Sequence, residues 1–145
     1  ASSGPLPSGV ADRPELASLR ALRAALNADW RDASKEFSLL LKAAPANSAQ
    51  ASLLRECAAW ALVMDSRPAE ASSLLKTAWP APPPPGFSEF ALLVYPNLFY
   101  TRAEIAAAAG RREEARKYYD LFLLYAGERK DGYGMIARAR AAARL

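Results

Sequence analysis

The sequence predicts an all-α fold, an α-solenoid of antiparallel helix hairpins. Three observations predict it. Apolar residues recur at helical spacing through most of the chain, and no stretch shows the period of two that a strand needs. Alanine dominates the apolar residues that make up 52% of the chain. It combines the best helix propensity with the small size that lets helices approach closely. Residues 97–128 read as two helices joined by one tight turn, and the pattern recurs twice upstream in weaker form. A recurring helix pair builds a solenoid, whose work is to display a binding surface.

The elements follow in order. Residues 1–11 are rich in Gly, Ser and Pro and read as a flexible tail or linker, leaving 12–145 as the helical domain. Asp12 suits the cap of a first helix with Pro14 in its first turn, where a missing N–H costs nothing. Leu16, Leu19, Leu22 and Leu26 then recur at helical spacing. Asn27-Ala28-Asp29 breaks the pattern, and Asp29 can cap a second helix carrying Ala33, Phe37, Leu40 and Leu41 up to Pro45. Ser48 caps a third helix with Leu53, Leu54, Cys57, Trp60 and Met64. Ser66 is the expected cap of a fourth, with Pro68 in its first turn and Ala71, Leu74, Leu75 and Ala78 on one face.

Residues 80–87 hold four consecutive prolines and read as a stiff polyproline II connector, with a ligand for an SH3-like or WW-like domain as the alternative. Pro96 interrupts the apolar run 87–109, which predicts a short helix over 89–94 and a longer one over 97–109. Gly110 makes a turn into a helix over 111–125 with Ala115, Tyr118, Tyr119 and Phe122 inward. After a loop at 127–131, a capping helix over 134–144 carries Met135, Ile136 and Ala139 on one side and Arg138, Arg140 and Arg144 on the other.

Composition excludes several kinds of chemistry. The chain has no histidine, so a Ser-His-Asp triad and His-assisted cysteine chemistry are ruled out. The commonest zinc ligand is missing too. The single cysteine, Cys57, permits no disulfide within the chain and reads as a small core or groove-wall residue. No apolar run is long enough to span a bilayer, no phosphate-binding glycine loop occurs, and no cofactor is implied. The lone thiol favours a cytoplasmic setting, with a tethered periplasmic or organellar form left open. The chain starts at Ala1 without Met, as a processed or cut form would, and the tail at 1–11 suits the tether of a C-terminal domain in a larger regulatory or assembly protein.

Aligned by small residues, the three second helices coincide at Ala33, Ala71 and Ala115. Four residues later each carries a large side chain, Phe37, Leu75 and Tyr119. Twelve residues earlier each first helix carries Ala21, Ala59 or Ala103. Small residues facing one another let the paired helices touch, and the large residue fills the gap to the next pair. These spacings resemble the tetratricopeptide repeat (TPR), a helix–turn–helix unit of about 34 residues. The units fall at about 13–45, 48–79 and 97–127. The chain departs from the family in its longer spacings, 38 residues from Ala33 to Ala71 and 44 from there to Ala115. Arg20 and Arg102 stand where the family prefers leucine, and its tryptophan position holds Ala17, Arg55 and Phe99.

The resemblance implies a non-catalytic scaffold or adaptor that presents a concave groove, lined by the first helix of each unit, to a peptide or helix of a partner protein. Carried over by position, the groove holds Leu22, then Leu53, Glu56, Trp60 and Val63, then Asn97, Tyr100, Thr101 and Glu104. Trp60 and Tyr100 are the expected anchors, since large aromatics dominate binding energetics. The carboxylate clamp of some family members has no counterpart, because Ser18, Leu22 and Cys57 occupy its positions. Glu56 and Glu104 instead suit an amphipathic or basic peptide. Homo-oligomerisation stays open, since three units are near the minimum for a stable array. The alternative reading is a nucleic-acid-associated protein using Arg111, Arg112, Arg116, Lys117 and the last-helix arginines. An enzyme would need an unusual carboxylate or lysine site.

Overall fold

A computed structural model describes residues 14–76 and 95–144. The expected tail at 1–11, the Asp12 cap, Ala78, the connector at 80–87 and the helix at 89–94 lie outside the described residues. Those residues form seven helices and no strand, so the fold is all-α. The helices are α1 (Pro14–Leu26), α2 (Trp30–Ala43), α3 (Ala49–Met64), α4 (Pro68–Leu74), α5 (Asn97–Ala108), α6 (Arg112–Ala126) and α7 (Met135–Ala143).

One turn is used three times. The second residue of each three-residue link lies in the left-handed region: Ala28 at φ 57°, Ser66 at φ 60° and Gly110 at φ 77°. The next residue donates its N–H back across the turn, Asp29 to the Ala24 carbonyl, Arg67 to Leu62 and Arg111 to Ala106, at 2.8–2.9 Å. The left-handed residue donates to the carbonyl one residue further on, Ala28 to Ala25, Ser66 to Val63 and Gly110 to Ala107, at 3.0–3.1 Å. This double closure is the Schellman motif. It satisfies the last carbonyls of α1, α3 and α5 and fixes the start of α2, α4 and α6. Ala33, Ala71 and Ala115 each lie five residues beyond the left-handed position.

Ser66 is therefore the turn residue and not the cap of α4, which corrects the expectation from sequence. Arg67 holds the cap position without a side-chain cap bond and ties Glu70 at 2.6 Å and Asp65 at 3.3 Å instead. Asp29 and Ser48 do cap, Asp29 Oδ1 accepting from Asp32 N and Ser48 Oγ from Ala51 N.

The shared turn gives a stability prediction. A Cβ at a left-handed position costs roughly 1–2 kcal/mol, partly offset in glycine by its unfolded-state entropy. Ala28→Gly is expected to raise the unfolding free energy by up to about 1 kcal/mol, and Gly110→Ala to lower it by about as much. At Gly110 an added Cβ meets no atom within 4 Å, so only the backbone conformation is at stake. Urea titration of the two variants checks the opposite signs.

Helices α1 to α4 each pack on the next in the chain, as do α5 to α7, and α3 and α4 both reach α5. Helix α3 is the hub, touching α2, α4 and α5. It is buried on nearly every side, from Ala51 to Val63, as a core helix with apolar residues on most of its faces must be. Ala21, Ala33, Ala59, Ala71 and Ala103 are wholly buried and Ala115 nearly so. Phe37 and Tyr119 are buried beside them, while Leu75, just past the end of α4, packs at the edge of the core.

Candidate functional site

The surface that the repeat resemblance assigns to a groove runs from Leu22 on α1 over α3 and α5. Around Trp60 on α3 that surface is covered by the chain itself. Trp60 is 1% exposed. Its ring meets Trp30 edge-on at 5.0 Å and Tyr133 at 5.7 Å, and Trp30 and Tyr133 meet at 4.9 Å. The indole Nε1 donates to Met135 Sδ at 3.4 Å. Tyr133 reaches back to α1, its hydroxyl donating to the Ala25 carbonyl at 3.0 Å. A loop residue between α6 and α7 thus closes over the first two helix pairs.

Local chemistry holds that loop. Gly134 takes φ 74° immediately before α7. Asp131 accepts from the N–H groups of Ile136 and Ala137, both at 3.0 Å, and so caps the first turn of α7. From sequence, Tyr133 and Trp30 receive no role, and Tyr133 falls between the loop at 127–131 and the last helix. An aromatic between two glycines, with an aspartate ahead of a helix start, was the available signal.

The two groove acids are engaged internally. Glu56, 4% exposed, takes both terminal nitrogens of Arg102, at 2.6 and 2.9 Å. Glu104 on α5 accepts the Tyr119 hydroxyl at 2.7 Å and the guanidinium of Arg138, with Nη2 at 2.9 Å. Burial, followed by the Glu104 charge, pushes the Tyr100 hydroxyl above its ordinary range. Burial and the bond to Glu104 do the same to Tyr119. Arg20 carries an ion pair as Arg102 does, its guanidinium meeting Glu36 at 3.3 Å.

The other candidate residues divide clearly. Leu53 and Thr101 are buried, Thr101 Oγ1 donating to the Asn97 carbonyl at 3.1 Å. Leu22 is partly buried against the core, and Asn97 sits half-buried at the start of α5. Val63, Tyr100 and Glu104 come together along one cavity of about 570 Å³, which Tyr133 and Arg138 also line. A second cavity of about 680 Å³ lies between α5, α6 and α7. The two share Ala107 and Arg138. Together they form the open surface over the C-terminal half of α5. No protein-family model, curated protein or solved structure matches the chain.

The basic residues of the alternative reading are partly engaged as well. Arg111 pairs with Glu114, Arg138 with Glu104, and Arg140 donates to the Gly127 carbonyl at 3.1 Å. Among the described residues no three Cys, Asp or Glu side chains cluster as metal ligands, and no described helix is long and apolar enough to cross a membrane.

Cys57 lies in the buried wall of α3, wholly inaccessible. Burial, reinforced by the neighbouring Glu56 charge, pushes its thiol from 9.0 up to about 12. The thiolate is the reactive form, so Cys57 is expected to ignore a thiol reagent in the folded protein and to react fully in denaturant. The thiol favours the folded state below its unfolded value, and that contribution fades as pH rises from 9.0 towards about 12. Urea melts from pH 8 upward are expected to show falling stability above about pH 9. Prompt labelling in native buffer would contradict the burial.

Proposed function

We propose that this chain is a non-catalytic protein-interaction module, a short TPR-like solenoid of three helix pairs closed by α7. The observation that carries the reading is the threefold recurrence of one Schellman turn at one distance from a buried alanine. Identical turns give each pair the same register, and repeated pairs stack into an extended surface. Tyr133 and Met135 fill that surface over α3. The open part lies over α5, where Val63, Tyr100, Glu104 and Ala107 meet. A partner peptide or helix is held there by shape and by the polar groups at the cavity edges, and no bond is made or broken.

Affinity capture from nuclease-treated lysate tests this. The wild-type chain is expected to retain a discrete protein that Ala107→Trp, a bulky change at an exposed position, releases. Capture that vanishes with nuclease would favour the nucleic-acid reading, and no captured protein would overturn the proposal.

A further inference from the structure

We propose that the cavity between α5, α6 and α7 is a docking site for an acidic peptide segment of a partner protein. The inference rests on the reading of the chain as a protein-interaction module and names the chemistry of its ligand. Three guanidiniums, those of Arg112, Arg116 and Arg138, border the cavity against one carboxylate, Glu113. Arg138 already holds Glu104. Arg112 and Arg116 lie one helical turn apart on α6, and both are exposed. Neither guanidinium has an ion-pair or hydrogen-bond partner among the described residues. Free guanidiniums present paired N–H donors that match a carboxylate bidentately.

The floor decides between a peptide and a nucleic acid. It is made of Ala115, Tyr119 and Ala142, with Ala107 and Ala141 at the rim. Small apolar residues let another backbone approach closely and bury short aliphatic side chains. Among the described residues that line the cavity no exposed stacking aromatic accompanies the arginines, since Tyr119 is 3% exposed and its hydroxyl is committed to Glu104. The space of about 680 Å³ fits a few side chains of one segment. A peptide that sets its acidic residues against Arg112 and Arg116 and its alanine- or leucine-sized residues on the floor satisfies both halves. This differs from the basic peptide expected from Glu56 and Glu104, whose charges are already neutralised within the chain.

Fluorescence anisotropy with the full chain tests the site. The probe is a labelled helical peptide of Ala and Leu carrying glutamates along one face. Its controls are the same peptide with lysines and an oligo-dT strand. The acidic peptide is expected to bind, more weakly as salt rises, and to lose at least about tenfold in affinity with Arg112→Gln/Arg116→Gln. Arg112→Lys/Arg116→Lys is expected to recover part of the loss. Ala141→Phe, which fills the rim without changing charge, is expected to block binding while helicity by circular dichroism is kept. No binding of the acidic peptide, equal binding of the lysine peptide, or affinity unchanged in all variants would overturn the site. Oligo-dT binding as tight as the peptide's and lost in the same variants would overturn the peptide assignment. Such failures leave partner capture by the chain intact, whereas failure of capture itself removes the wider reading.

Discussion

Replacing Trp60 with alanine is expected to lower the unfolding free energy by about 3–5 kcal/mol. The side chain is one of the largest fully buried in the structure. Its loss removes apolar burial, leaves a cavity, and breaks two edge-to-face ring contacts with Trp30 and Tyr133. Each such contact adds about 0.5–1.5 kcal/mol beyond burial. Native domains are stable by only about 5–15 kcal/mol, so the variant is expected to sit near the unfolding threshold at physiological temperature. Tyr100, 4% exposed, is buried in the same way, so a Trp60/Tyr100 double alanine chain reports on folding before it reports on any partner. Urea titration with circular dichroism checks the single variant. A loss below about 1 kcal/mol would mean that the ring cluster is not part of the core.

The second large effect is expected at the Glu56–Arg102 pair, which ties α3 to α5. Arg102→Met leaves a carboxylate that is 4% exposed without its guanidinium. Removing one partner of a buried pair costs about 3–5 kcal/mol, because the remaining charge stays desolvated. Replacing both, as Glu56→Met/Arg102→Met, is expected to recover most of that loss, since an apolar pair of similar volume fills the site without a buried charge. The double-mutant cycle isolates the coupling. A double variant no better than Arg102→Met would show that the arginine acts through packing of its stem and not through its charge.

The parts of the fold that were legible in the sequence are local. Asp29 and Ser48 announce helix starts because a short polar side chain can take an N–H of the next turn. Gly110 announces a turn because glycine enters the left-handed region freely. Ala28 and Ser66 adopt the same conformation with nothing in their side chains to signal it. There the packing of the two helices decides, and local preference yields. Long-range contacts were out of reach for a related reason. Tyr133 meets the Ala25 carbonyl across 108 residues of chain, and Glu56 meets Arg102 across 46. Periodicity shows that Trp60 lies on a helix face. It does not show that a tyrosine from the far end of the chain closes over that face. The charges on Glu56 and Glu104 misled in the same way, because their partners come from other helices.

On the proposed reading, these contacts set where a partner is received. The surface over α3 is occupied by Tyr133 and Met135, and the open surface runs over α5 towards α6 and α7. Site-specific photocrosslinking in lysate tests that location most directly. A photoreactive amino acid is placed in turn at Ala107 on the α5 surface, at Leu39 on α2 and at Leu124 on α6, each an exposed position. The account predicts a discrete protein adduct from Ala107 and none from Leu39 or Leu124. Adducts from Leu39 or Leu124 alone, or no protein adduct from any of the three, would contradict it.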